Sequence, residues 1–93
     1  MSQINIRRAH QLSLLEARAA TEQMAKQLDA RFELRHHWQG NRLHFERSGV
    51  SGHIDVDTSE VRIYARLAFL LSPLKGRFER AIHEHLDELL NTD

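Results

Sequence analysis

The sequence predicts a two-layer α+β domain, in which an antiparallel sheet of about five strands carries two helices on one face (β-α-β-β-β-β-α). Between Phe32 and Leu67, apolar and polar residues alternate with a period of two, which is the spacing of a sheet with one buried face. Three pairs of turn-forming residues interrupt this alternation without changing its phase. A segment with helical spacing lies on each side of it.

The length and composition describe one soluble globular domain over residues 1–93. Hydrophobic residues make up 41% of the chain and charged residues 28%, which is ordinary for a folded domain. The absence of cysteine excludes disulfides and thiolate chemistry, and fits a cytoplasmic location. Thirteen basic residues balance thirteen acidic ones, which argues against nucleic acid as a partner. No apolar run approaches the roughly 20 residues of a transmembrane helix, and the first residues, Met1 to Ile4, lack the charged and apolar regions of a signal peptide.

The first strand and first helix occupy the N-terminal third of the chain. Ile4 and Ile6 alternate with polar neighbours, which predicts a short strand that we expect at the sheet edge beside the last strand. Ser13 and Glu16 have the spacing of a capping box and predict the start of a helix. The apolar stripe of this helix is narrow and consists of Leu14, Ala17, Ala20, Thr21, Met24, Ala25 and Leu28.

Three two-residue turns, at Gly40-Asn41, Ser48-Gly49 and Thr58-Ser59, fix the register of four strands. This register places His36 on the inner face opposite Phe45 and Gly52, either as a core histidine or as a ligand contact in a cavity. The other residues assigned to the inner face are Leu34, Trp38, Leu43, Phe45, Ile54, Val56, Val61, Ile63 and Leu67.

The same register sends three rows of polar side chains across the outer face. Opposite charges face each other in two of the rows, and such cross-strand pairs contribute roughly 0.2–1 kcal/mol each. The rows are Arg35-Glu46-Ser51-Arg66, His37-His44-His53-Tyr64 and Gln39-Arg42-Asp55-Arg62.

Several interpretations of this outer face remain open. It is a solvated face held by cross-strand pairs, or a surface that binds a partner. His37, His44 and His53 are a candidate zinc site, although three ligands in a straight row cap a tetrahedral ion poorly. The arginines and Tyr64 suit single-stranded nucleic acid, but one aromatic in a neutral chain is a weak signal. A homodimer through this face would be acid-sensitive because of its histidines.

The C-terminal part predicts a last strand end at Phe69–Leu71 and then a helix. Ser72 is the expected N-cap and Pro73 the first helical residue. Lys75 and Arg77 then lie at the positive end of the helix dipole, which is unfavourable. This basic cluster either serves a contact or is tolerated because burial dominates helix stability. The apolar positions of the helix are Leu74, Phe78, Ile82, Leu86, Leu89 and Leu90.

Two segments and the residues between them resemble a known family. Ile6-Arg7-Arg8-Ala9-His10 leads into Ala17-Arg18-Ala19-Ala20, and Leu67–Glu79 contains the irregular motif Leu-Leu-Ser-Pro-Leu-Lys-Gly. Trp38, Phe45 and Ser48–Gly52 also fit. Over nearly its whole length the chain resembles the small polyhydroxyalkanoic acid system proteins. That family commonly has glycine where Ala68 stands here.

The resemblance implies a context more than a mechanism. No catalytic residues are established for the family, so none are carried over to this chain, and we expect no cofactor. Such proteins are encoded among genes for bacterial polyester storage, some of whose products coat the storage granules. We therefore expect a non-enzymatic accessory protein that contacts a protein or the granule surface. The candidate contact consists of Phe69, Leu70, Leu71, Lys75, Gly76 and Arg77. The alternative is a small-ligand or metal-binding enzyme that uses the histidine row.

Overall fold

The computed structural model describes residues 2–90 and has the predicted α+β architecture. All neighbouring strands are antiparallel and the sheet order is β1-β5-β4-β3-β2, so the first strand lies beside the last, as expected. The elements are β1 (Ser2–Ala9), α1 (Leu14–Phe32), β2 (Arg35–Gln39), β3 (Arg42–Arg47), β4 (Val50–Val56), β5 (Glu60–Leu67), a 3₁₀ helix (Phe69–Leu74) and α2 (Lys75–Leu90).

The predicted register of the hairpins is confirmed. His44 lies opposite both His37 and His53, and His53 lies opposite Tyr64. Gly40 and Gly49 adopt positive φ values of 62° and 87°, which the first two turns require and glycine accepts without strain.

The third turn closes despite the β-branched Thr58. The Asp57 carboxylate accepts hydrogen bonds from the backbone N–H groups of Ser59 and Glu60, at 2.8 and 2.7 Å. An aspartate side chain that bonds to the backbone two and three residues later stabilises the turn, which the Thr58-Ser59 pair does not favour by itself.

The inner face of the sheet and the two helices enclose one core. The residues predicted for the inner face are buried, except that His36 and Trp38, both on the edge strand, are half-buried. The space at Gly52 belongs to Phe45 and not to His36, because a Cβ at Gly52 would lie 2.6 Å from Phe45 Cζ and 2.3 Å from the Tyr64 carbonyl oxygen. His36 instead turns toward α1, where its imidazole reaches polar partners.

α1 begins as predicted. The Ser13 side chain accepts from the Glu16 backbone N–H, and the Glu16 carboxylate accepts from the Ser13 N–H, at 3.1 and 3.0 Å. The helix ends at Phe32 and is capped by Glu33, whose φ of 59° is left-handed. Its buried stripe is narrow and rich in small residues, which allows close packing on the sheet; it consists of Ala17, Thr21, Met24, Ala25 and Leu28.

The prediction for the segment after β5 is wrong in two respects. Phe69–Leu71 is not a strand end, because the Ala68 N–H donates to the Gly49 carbonyl at 2.8 Å and the chain then turns into the 3₁₀ helix. Pro73 lies inside that 3₁₀ helix, and α2 begins at Lys75. The Ser72 hydroxyl, expected as an N-cap, is instead hydrogen-bonded to the Ser2 hydroxyl at 2.9 Å.

Within residues 2–90, neither helix combines the length and apolar composition that crossing a bilayer requires.

Candidate functional site

The histidine row forms one line of contacting rings across four strands. The His37 and His44 rings are stacked, with centroids 5.1 Å apart and planes at 14°. His44 and His53 follow at 6.4 Å, and His53 and Tyr64 at 5.5 Å. The period-two alternation of the strands thus produces an aromatic strip on the face away from the helices.

An ion-paired network flanks this strip. Arg42 donates to Asp55 from Nε at 2.6 Å and from a terminal nitrogen at 3.2 Å, which confirms one predicted cross-strand pair. Burial raises the pKa of Asp55, but the hydrogen bond and charge of Arg42 outweigh burial, so the pKa is lowered. For His53, burial and then the Arg42 charge lower the pKa, although Asp55 opposes them. His53 is therefore less readily protonated than a free histidine.

The other outer-face residues take their predicted positions. Arg35 lies opposite Glu46, and Arg66 lies opposite Ser51 on one side and Gln3 on the other. Arg62 lies opposite Asp55 but forms its ion pairs with Asp57 at 3.6 Å and Glu60 at 3.7 Å.

The row does not converge on a single point, which is what a metal ion needs. Across residues 2–90, no group of three or more His, Asp or Glu side chains is arranged to hold a metal. An open depression of about 520 Å³ lies at the His53–Tyr64 end of the row and extends to β1. Polar and aromatic side chains contribute to it, and its lining includes Asn5, Arg7, His53, Asp55, Arg62 and Tyr64.

The second predicted site lies at one end of the molecule, and we call it the apolar–basic corner: Phe69, Leu70, Leu71, Lys75, Gly76 and Arg77. Phe69 and Leu70 are 77% and 85% exposed, although both are large apolar side chains. Leu71 is half-buried and packs toward Gly49, where a Cβ would lie 2.6 Å from its Cδ1. Leu71 therefore closes the core, whereas Phe69 and Leu70 face solvent.

Basic side chains surround the corner. The Lys75 ammonium lies 3.7 Å from Glu79, and both side chains are more than one third exposed, so solvent screens the pair strongly. Arg77 lines a depression of about 320 Å³, to which Arg31, Arg47 and one acidic residue, Glu33, also contribute. This end of a neutral chain thus combines exposed apolar side chains with a local excess of cations.

One polar cluster was not predicted from the sequence. His36 Nδ1 lies 2.5 Å from the Asp29 carboxylate, and His36 Nε2 lies 3.1 Å from that of Glu22. The Trp38 indole N–H also donates to Glu22, at 2.8 Å. Burial lowers the pKa of His36, but the hydrogen bonds and charges of the two carboxylates outweigh burial and raise it. Burial raises the pKa of Glu22, whereas its bonds to Trp38 and His36 lower it overall.

The cluster ties α1 to the β2 edge of the sheet. A neutral imidazole carries one N–H, so only the imidazolium can donate to both carboxylates at once. The signal available in the sequence was the separation of Glu22 and Asp29 by seven residues, or two helical turns, on one flank of α1. Nothing in the sequence paired that flank with His36.

His10 has a structural contact on both ring nitrogens. Its Nδ1 accepts from the Leu12 N–H at 3.1 Å, so its Nε2, 2.8 Å from the Asp57 carbonyl, carries the proton and donates. The ring is buried and joins the end of β1 to the β4–β5 turn.

Comparison with known proteins identifies a family. The family model described as "Putative polyhydroxyalkanoic acid system protein" matches residues 4–90, which is most of the chain. Searches of curated proteins and of solved structures find no match.

Proposed function

Because the chain belongs to the polyhydroxyalkanoic acid system protein family, we propose that it is a non-enzymatic accessory protein that binds the surface of polyhydroxyalkanoate granules. The observation that supports this most is the exposure of Phe69 and Leu70 on the 3₁₀ helix. Large apolar side chains that remain in water at one corner, next to cations, are typical of a surface that meets an apolar partner.

The expected strength of this contact follows from the exposed area. Fully burying a Phe or Leu side chain contributes roughly 1.5–3 kcal/mol, so Phe69 and Leu70 together supply about 3–6 kcal/mol before the cost of association. That is comparable to the weak, reversible membrane binding of one short lipid anchor. The contact therefore depends on a second attraction.

Lys75 and Arg77 supply that second attraction. Their position at the positive end of α2 is unfavourable for the helix itself, because cations are better placed near a helix C-terminus. An anionic granule coat would offset this repulsion, with each cation near a charged surface contributing roughly 1 kcal/mol. Gly76, exposed between them, adds no bulk that would hold the surface away.

An enzyme that uses the histidine row has less support. The rings of the row contact one another in a line, and within residues 2–90 no three ligand side chains converge on a point. Catalysis by a metal or by concerted acid and base groups needs such convergence around a substrate atom.

Co-sedimentation with purified granules at low salt tests the proposal. The unmodified chain should pellet, and Phe69→Ser and Lys75→Glu should each shift it toward the supernatant, with a larger loss in the double variant. Leu15→Ser is the matched control, because Leu15 is 78% exposed but lies at the other end of α1 from Arg31. Failure of the unmodified chain to pellet, or an equal loss with Leu15→Ser, would rule out the corner as the contact.

A further inference from the structure

Among the described residues 2–90, the outer edge of β1 is the longest strand edge of the sheet without a paired neighbour. All eight residues of β1 pair with β5 on one side, and β1 is the first strand in the sheet order. The strand contains no proline, no glycine and no positive φ value. Such an edge presents a row of N–H and C=O groups that are ready to pair with another strand. The opposite edge, β2, has only five residues.

The hydrogen bonding of β5 determines which β1 groups are free. The Asp57 N–H donates to the Glu60 carbonyl at 3.1 Å. Because hydrogen-bonded pairs alternate along an antiparallel ladder, the even-numbered residues of β5, beginning with Glu60, bond to β4. The odd-numbered residues of β5, beginning with Val61, bond to β1, and their partners there are the even-numbered residues. His10, also even-numbered, continues this pattern by donating to the Ser59 carbonyl at 2.9 Å. The odd-numbered residues of β1 therefore direct their backbone groups to the free edge: Gln3, Asn5, Arg7 and Ala9.

A second copy of the chain fits this edge. In an antiparallel pair of two β1 strands, only odd-numbered residues can bond to odd-numbered residues, so both copies carry their helices on the same side of the joined sheet. With the two-fold axis at Asn5, the Arg7 side chain of each copy lies opposite Gln3 of the other, and no like charges oppose one another. The half-buried Ile6 then lies opposite Ile4 of the second copy, which is already buried within its own core.

We propose that β1 forms the interface of a homodimer, in which two copies pair through this edge around Asn5 and join their sheets into one. The three odd–odd pairs each exchange two backbone hydrogen bonds, which is the mode by which strand addition gains affinity. This interface uses other residues than the granule contact, because Phe69 and Leu70 belong to the 3₁₀ helix and not to β1.

Asn5→Pro tests the interface. It removes an N–H group that β5 does not use, and an edge strand tolerates proline there. Light scattering of the unmodified chain should give twice the 10.9 kDa of one copy, and Asn5→Pro should give one copy with an unchanged far-ultraviolet circular dichroism spectrum. Asn5→Val, which keeps the N–H, should remain dimeric. A single-copy mass for the unmodified chain at several hundred micromolar, or a dimeric Asn5→Pro, would overturn the proposal.

Two further measurements do not depend on the proline variant folding. Amide exchange in the dimer should protect the Asn5 N–H as well as the Ile4 N–H, whereas an unpaired edge would exchange at Asn5 at least tenfold faster. The chain has no cysteine, so Asn5→Cys should cross-link two copies on oxidation. Arg7→Cys should not cross-link, because the two cysteines, one in each copy, would lie roughly 13 Å apart along the strands. Fast exchange at Asn5, or cross-linking of Arg7→Cys alone, would refute this pairing.

Discussion

Replacing His36 by glutamine should destabilise the protein most in mildly acidic solution. The folded-state pKa of His36 is raised above the ordinary 6.5, so its stabilising contribution is complete below that pH and is lost as the pH rises through the folded-state pKa. The pKa of Glu22 is lowered from 4.5, so its contribution is present above that pH and is lost as the pH falls through its folded-state pKa. Between about pH 4.5 and 6.5 both groups are charged, and both hydrogen bonds to His36 form.

The size of the effect follows from the burial of the three side chains. The His36 side chain is 15% exposed, and those of Asp29 and Glu22 are 25% and 32% exposed, so solvent weakens the charged hydrogen bonds without abolishing them. Hydrogen bonds to charged groups contribute about 1.5–3 kcal/mol, and we expect about 2 kcal/mol for His36→Gln near pH 5.5. At pH 8 the neutral ring keeps one donor, and the loss should fall to about 0.5–1 kcal/mol.

Thermal unfolding followed by circular dichroism at pH 5.5 and pH 8 measures this difference. For a domain of this size, 1 kcal/mol corresponds to about 4–8 °C in Tm, so the variant should lose roughly 8–16 °C at pH 5.5 and much less at pH 8. His37→Gln is the matched control, because His37 is adjacent but exposed on the outer face. A loss for His36→Gln that is equal at both pH values, or larger at pH 8, would refute the reasoning.

Three other substitutions test the packing and the histidine row. Gly52→Ala should destabilise the fold by about 3 kcal/mol in urea unfolding, because its Cβ would meet the Tyr64 carbonyl oxygen at 2.3 Å; a loss below 1 kcal/mol would contradict the close contact. Gly76→Ala should stabilise it by about 0.5–1 kcal/mol, since nothing lies within 4 Å of that Cβ and the residue is in a helix, and any destabilisation would oppose this assignment. Zinc titration by calorimetry should give the same weak affinity for the unmodified chain and for His44→Ala, whereas at least tenfold tighter binding by the unmodified chain would restore the metal hypothesis.

The sheet was predictable because one rule determines both its faces. With a buried side and a period of two, a shift by one residue in any of the three turns would have moved apolar side chains such as Leu43 and Ile54 into water. The histidine row followed from the same constraint: His44 comes directly after Leu43 in β3, so its side chain lies on the opposite face, across from His53. The capping box of α1 was predictable for a different reason, because all its hydrogen bonds are local.

The features that sequence reasoning missed depend on contacts between distant elements. Leu67–Leu71 is a short apolar run, whose periodicity fits either a strand or a turn of helix, and the hydrogen bond from Ala68 to Gly49 decides between them. The polar cluster joins His36 to residues that precede it by seven and fourteen positions on another element. Only the packing of α1 against the β2 edge brings these groups together.

A pair of fluorescently labelled variants tests the granule contact most directly. Because the chain lacks cysteine, Leu70→Cys and Leu15→Cys each accept one environment-sensitive dye at a residue that is 85% or 78% exposed. On addition of granules, the emission of the dye at position 70 should shift to the blue as it leaves water, and that at position 15 should not change. An unchanged emission at position 70 in protein that pellets with the granules, or an equal shift at position 15, would contradict the proposed contact.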